Sequence, residues 1–253
     1  MLRQVGFAVA MILPVVGIVA LHASRHCPMP RARLRWTVSL CVVTAFVAAL
    51  ASAAVVMGMP RGGGEGVVAT AGTTWRVLPL LALFEEISRF VVLAGYSLRA
   101  RHAAGPRDGI VLGLAAGLTF ALLENIMSAG GPAAGSAASG WLRIALATPL
   151  HALLGGLMGY LIVRARSYPT GRFLRLAEAL LLPAAIHVVY DTPVLLALAY
   201  WGEAMTVEVA GLAVTLSAGV DLALAWYVWR LFSAAPAAAS AAQRPASRTP
   251  PAT

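Results

Sequence analysis

Seven long apolar segments restrict the fold of this chain more than any other feature of its sequence. They lie at 5–22, 36–58, 76–97, 109–129, 142–163, 176–200 and 209–231. A helix that crosses a lipid bilayer needs about 20 mostly apolar residues, which is close to the length of each segment. The sequence therefore predicts an all-α fold, a polytopic transmembrane helix bundle of about seven spans.

The composition agrees with lipid rather than water as the surrounding solvent. Of the 253 residues, 60% are apolar and 11% are charged, whereas soluble domains average about 45–50% apolar and about 25% charged. The net charge of +9 comes from arginines in short clusters between the apolar segments, which is typical of membrane topology and not of a nucleic-acid surface. We expect the lipid bilayer as a partner and no nucleic acid.

The arginines also predict an orientation. Alternate connections, together with the C-terminal tail, hold fourteen arginines, and the N-terminus and the remaining connections hold four. Because arginine-rich loops stay in the cytoplasm, we expect the N-terminus outside and the C-terminus in the cytoplasm. The first segment is interpreted as an uncleaved anchor. The alternative, a signal peptide, has a shorter apolar stretch and carries its positive charge in front.

The connections are short, and no internal repeat is visible, so residues 1–232 are expected to form one bundle. Residues 233–253 consist mainly of Ala, Pro and Ser and have almost nothing to bury. We expect them to form a disordered cytoplasmic tail.

Ionisable side chains lie well inside the third to sixth segments, where such groups are costly and indicate function. They are Glu85, Glu86, Arg89, Glu124, His151, His187 and Asp191. At 1.5 Å of rise per residue, Glu85, His151 and Asp191 lie about 14 Å from the outer ends of their spans. Glu124 lies about 8 Å and His187 about 20 Å from these ends. The overlap predicts one shared site between the bilayer midplane and its outer third.

Helical spacing groups these side chains further. Arg89 is four residues after Glu85 and three after Glu86, so all three share one helix face. Two adjacent carboxylates in a low dielectric cannot both ionise cheaply. Arg89 is expected to hold one charged, which leaves the other as a general base. Asp191 is four residues after His187 and is expected to orient its imidazole.

Several of these residues also have purely structural interpretations. Glu86 with Arg89 can be a buried ion pair, and a single histidine in a bundle often binds only a neighbouring carbonyl. Asp221 has no partner at helical spacing and is interpreted as structural. Small-residue spacing predicts close helix packing at Gly113, Gly117, Gly155, Gly156 and Gly159.

Together, the motifs resemble those of the PrsW family of intramembrane proteases, which is distantly similar to the type II CAAX prenyl proteases. The motifs are Glu85-Glu86-Ile-Ser-Arg89, Asp108-Gly109-Ile-Val, Phe120-Ala-Leu-Leu-Glu124-Asn125, Pro149-Leu-His151 and His187-Val-Val-Tyr-Asp191. That family is characterised by a glutamate pair followed by a basic residue, a Phe-x-x-x-Glu motif and a His-x-x-x-Asp motif. The resemblance covers residues 80–192 in the expected order. Arg89 stands where Lys is frequent, which keeps the charge.

The resemblance implies a multi-pass protein of a bacterial cell membrane that hydrolyses a peptide bond in a membrane-associated protein, such as an anti-sigma factor or another single-span regulator. It carries the catalytic set over to Glu85, Glu86, Arg89, Glu124, His151, His187 and Asp191. Two mechanisms stay open. In one, His151, His187 and Glu124 bind Zn²⁺ and a glutamate acts as base; in the other, Glu85 activates water without a metal and His187 stabilises the oxyanion.

Two other classes of protein are compatible with buried carboxylates and histidines. A proton- or ion-coupled transporter or channel uses such groups as relays, although the chain shows no inverted repeat. A non-catalytic membrane scaffold could keep the fold without turnover, but the complete polar set disfavours it.

Overall fold

The computed structural model describes residues 39–41, 43, 44, 46, 47, 71–98, 105–130, 137–168, 170–201 and 206–235. These residues form helices and short turns, with no strand among them, so the all-α prediction is confirmed. The first predicted span, most of the second and nearly all of the predicted tail lie outside this part of the chain.

Five helices account for most of the described residues. They are α1 (Ala71–Ser97), α2 (Pro106–Gly130), α3 (Ala137–Arg166), α4 (Arg172–Trp201) and α5 (Val207–Ala234). Each contains one of the third to seventh predicted spans and extends up to a few residues beyond it.

Four stretches within the described residues are long and apolar enough to cross a membrane. They are Pro106–Ile126, Ile144–Arg166, Arg172–Pro193 and Val207–Ala234. Helix α1 carries Glu85, Glu86 and Arg89 along its apolar length and is not one of the four. The structure therefore supports a multi-pass membrane protein without establishing the predicted count of seven spans.

Helix α3 lies at the centre of the bundle, where Leu150, Leu154, Leu157, Met158 and Ile162 are fully buried. Its closest neighbour is α2, and the glycines predicted to mediate close packing lie between these two helices. A Cβ atom at Gly113 would overlap with the carbonyl oxygen of Gly155, and one at Gly117 would overlap with that of His151. In lipid, where no hydrophobic force drives helices together, such backbone contact is a main source of association. It also fixes the backbone of His151 against α2.

Arginine side chains connect helix ends on one side of the bundle. Arg107, at the start of α2, donates from Nε to the carbonyl of Phe232 at 3.1 Å, near the end of α5. Arg166, at the end of α3, donates from Nη1 to the carbonyl of Ser97 at 3.2 Å, where α1 ends. These bonds satisfy helix C-terminal carbonyls that have no partner within their own helix.

Candidate active site

Helix α1 carries a buried ion pair at the centre of the polar cluster. Glu86 and Arg89 are both fully buried, and Nη2 of Arg89 donates to Oε1 of Glu86. Nη1 of Arg89 donates to the carbonyl of His151 at 3.2 Å, and its guanidinium lies 4.7 Å from the centroid of the Phe120 ring. One arginine thus joins α1 to both α2 and α3.

His187, on α4, is held by the same carboxylate. Its Nδ1 lies 2.9 Å from Oε1 of Glu86. Because Arg89 favours the charged form of Glu86, we assign the proton of this hydrogen bond to Nδ1 of His187. In the neutral imidazole, Nε2 is then left with its lone pair.

The second ring nitrogen of His187 lies near two further carboxylates. Its Nε2 lies 3.8 Å from Oε2 of Glu85 and 3.4 Å from Oδ2 of Asp191. The sequence predicted that Asp191 orients this imidazole, and Asp191 does lie next to it; the structure adds a hydrogen bond from the other ring nitrogen to Glu86, which lies on another helix. Spacing along one helix could not reveal that contact.

His151, on α3, forms the second half of the cluster. Its Nε2 lies 2.8 Å from Oε2 of Glu124 on α2. Its ring centroid lies 5.2 Å from that of Phe120 and 5.2 Å from that of His187, with the two imidazoles at 84°. All seven side chains predicted for the site are therefore connected through direct contacts.

The chemistry of the cluster fits a metal ion. Glu85, His151 and His187 each offer one ligand atom, and these atoms lie within 4.8 Å of one another. Nδ1 of His151 is buried and has no hydrogen-bond partner among the described residues. Two histidines and one glutamate form a ligand set that catalytic zinc sites use. The tentative ligand set from the sequence contained Glu124 in place of Glu85; in the structure Oε2 of Glu124 lies 2.8 Å from Nε2 of His151.

Exposure differs between the two sides of the cluster. The side chains of Glu86 and Arg89 are 0% exposed, whereas those of Glu85, Glu124 and Asp191 are 18%, 23% and 32% exposed. The second group of carboxylates therefore reaches the protein surface, and the ion pair does not. The arrangement separates groups suited to react from groups suited to support them.

Two contributors to the site were absent from the predicted set. The sequence indicated Phe120 only as the first residue of the Phe-x-x-x-Glu motif, without a role. In the structure its ring contacts both Arg89 and His151. Asn125 donates from Nδ2 to Oγ1 of Thr148 at 3.1 Å, and both side chains are buried. Asn125 follows Glu124, and Thr148 lies almost one turn before His151, so this bond supports the contact between them. The available signals were the place of Asn125 at the end of its motif and an amide inside an apolar helix.

The fold and this cluster define a multi-pass helical membrane protein with histidines and carboxylates converging inside the bundle. Residues 30–237 match the family described as PrsW family intramembrane metalloprotease. Because the match covers most of the chain, the protein belongs to this family, and the resemblance inferred from the motifs is confirmed.

Three curated relatives are each named Protease PrsW. The relative from Bacillus subtilis is 38% identical over 120 residues, which cover 47% of this chain and 53% of the relative. The relative from Halalkalibacterium halodurans is 32% identical over 119 residues, or 46% and 53%. The relative from Geobacillus kaustophilus is 32% identical over 141 residues, or 56% and 60%. The chain thus spans little more than half the length of these relatives. No solved structure is significantly similar to the chain.

Proposed function

We propose that the protein is an intramembrane peptidase that hydrolyses a peptide bond in a membrane-associated protein. One observation carries this proposal: Glu85, His151 and His187, from three helices, converge inside an apolar bundle. Family membership and the name shared by the three relatives support it. They give no support to the transporter alternative.

Glu85 is the residue we assign as general base. Its carboxylate is partly exposed, unlike that of Glu86, and its Oε2 lies 3.8 Å from Nε2 of His187. A water molecule between these groups can give its proton to Oε2 of Glu85 as it attacks the scissile carbonyl. After bond cleavage the same carboxyl returns the proton to the leaving amine.

Glu86 and Arg89 are assigned as positioning residues. Both are fully buried, so neither can touch a substrate. Glu86 fixes the tautomer and orientation of His187, and Arg89 compensates the charge of Glu86 and binds the carbonyl of His151. These contacts preorganise both imidazoles before a substrate arrives, which is how buried polar groups assist catalysis.

A metal is compatible with this arrangement and would be held by Glu85, His151 and His187. A bound zinc ion would supply a Lewis acid that polarises the scissile carbonyl. If Glu85 is a metal ligand, it is no longer free to act as the base. Glu124, whose partly exposed carboxylate lies next to His151, would then accept the proton of the attacking water at Oε2.

We further propose a single-span regulator, of which an anti-sigma factor is one type, as the substrate class.

Our proposed orientation places the N-terminus outside and the C-terminus in the cytoplasm. It is supported by the arginine count and by the contacts of Arg107 and Arg166, which gather at one end of the bundle.

The test is cleavage of single-span substrates by purified protein in liposomes. Glu85→Gln keeps the shape of the side chain and removes the base, so we expect cleavage to fall below detection. Glu178→Gln, which changes an exposed glutamate on α4, is the matched control and should cleave at the rate of the unmodified protein. Cleavage by Glu85→Gln at the unmodified rate would refute the assigned base. Parallel reactions with a chelator separate the two mechanisms.

A further inference from the structure

Asp221 is a buried acid that the proposed chemistry does not use. It lies at the middle of α5, on the face formed by Ala213, Ser217, Asp221, Leu224 and Val228, and is 8% exposed. Neither of its carboxyl oxygens has a hydrogen-bond partner within the part of the chain that the structure describes. A carboxyl group at the centre of a membrane span without a donor is costly and is a functional candidate by default.

The packing of α5 brings Asp221 to the level of the active site. Ser217, one turn before Asp221 on the same face, donates to the carbonyl of Tyr190 at 3.2 Å, next to Asp191. Helices α4 and α5 are consecutive and joined by a short connection, so they run in opposite directions. One turn further along α5 therefore corresponds to one turn back along α4, which places Asp221 at the level of Ile186 and His187.

The seam between α4 and α5, where Ser217 contacts Tyr190, lies at the periphery of the bundle, because only 28% and 22% of the residues in the membrane-crossing stretches of these helices are buried, against 67% and 72% in α2 and α3. Large apolar side chains of α5 point away from it, including Leu212, Leu216, Leu222 and Trp226, all at least half exposed. Ser217 and Arg107 each form a hydrogen bond between α5 and another helix. In this seam, Asp221 is a hydrogen-bond acceptor without a donor among the described residues. A second helix that brings a donor would satisfy it, which lowers the free-energy cost of replacing the α4–α5 contact.

We propose that Asp221 recognises the substrate. When the transmembrane segment of the substrate enters along the α4–α5 seam, Asp221 accepts a hydrogen bond from a polar side chain that the segment carries at the level of the active site. The preferred substrate is thus a single-span segment with a donor, such as Asn, within about one helical turn of the cleaved bond. This inference rests on the proposed peptidase activity.

The experiment compares two single-span substrates that differ at one position near the membrane midplane, with Asn in one and Leu, of similar size, in the other. The unmodified protein in liposomes should cleave the Asn substrate about 3- to 20-fold faster, the range that interhelical hydrogen bonds in membranes support. Asp221→Leu should cleave both at the slower rate. Thr215→Leu, which removes an exposed hydroxyl from α5, should keep the preference.

Each outcome decides the inference. A preference that survives in Asp221→Leu, or its absence in the unmodified protein, overturns the role of Asp221 but leaves the peptidase assignment intact because both substrates are cleaved. Cleavage of neither substrate by the unmodified protein overturns both. Should Asp221→Leu fail to fold, Asp221→Ala, which also lacks an acceptor, is used, and the same loss of preference is required. Moving the Asn to successive positions along the substrate segment should give a single maximum in the cleavage rate. A rate that does not depend on the Asn position refutes recognition at this depth.

Discussion

Replacing Glu86 with Gln should destabilise the protein far more than the same change at Glu85. Glu86 is fully buried and compensates the charge of Arg89, whereas Glu85 is partly exposed and lies 3.8 Å from an imidazole. Glu86→Gln keeps the volume of the side chain but leaves the guanidinium of Arg89 as a buried charge without a counterion.

The expected loss follows from that uncompensated charge. Removing one partner of a buried ion pair costs about 3–5 kcal/mol. At about 2–4 °C per kcal/mol for a chain of this size, the unfolding temperature of Glu86→Gln should fall by about 6–20 °C. The double variant Glu86→Gln with Arg89→Met removes both charges. Apart from the ion pair itself, it should lose the hydrogen bond to the carbonyl of His151 and the contact of the guanidinium with the Phe120 ring, about 1 kcal/mol each.

The assay is thermal unfolding in detergent together with the cleavage rate in liposomes. We expect the double variant to regain most of its stability while activity stays about 10–100-fold low, because no charged carboxylate then orients His187. If Glu86→Gln unfolds at the same temperature as Glu85→Gln, or if the double variant is less stable than Glu86→Gln, the buried pair does not play the role assigned here.

Three further predictions concern the site and the topology. His187→Ala should nearly eliminate cleavage while Asp191→Asn retains a measurable fraction, because the imidazole faces the reacting groups from a fixed position; equal losses in kinetic assays would contradict this ranking. If the metal-assisted mechanism operates, elemental analysis should find about one equivalent of transition metal, lost in His187→Ala; metal-free protein that is fully active in chelator would exclude that mechanism. Cysteines introduced at Ser167 and Thr206, in a background without native cysteines, should react with impermeant reagents from the cytoplasmic and the outer side respectively; the reverse pattern would invert the orientation.

Much of the fold follows from apolar length and small-residue spacing. The predicted segments at 109–129 and 142–163 lie inside α2 and α3. Small-residue spacing at Gly113 and Gly155 predicted close helix packing, and the structure shows that these two helices are the ones in contact. Helix ends were less accessible because they depend on polar contacts. Arg107 and Arg166 bind carbonyls on other helices, and a sequence does not show which helix ends are neighbours.

For the site, the sequence indicated which residues are present and their depth, but not how they pair. Depth alone placed Glu85, His151 and His187 in one layer, and the structure brings them within contact distance. Spacing along one helix predicted a partnership of His187 with Asp191 and missed Glu86, since α1 and α4 are distant in sequence. Rotation of helices about their axes, set by packing, decides such pairings.

The position of the buried ion pair within a single helix has a consequence for how the chain enters the membrane. Glu86 and Arg89 are three residues apart on α1, so each has its counterion as soon as that helix forms. Isolated charged residues at a helix centre cost about 2.5–3.5 kcal/mol each during insertion. If the partner of Arg89 were on α4, both charges would stay unpaired until about one hundred further residues had been synthesised. With both on α1, the helix can leave the translocation machinery already compensated, and the histidines of α3 and α4 later assemble around a charge pair that is in place.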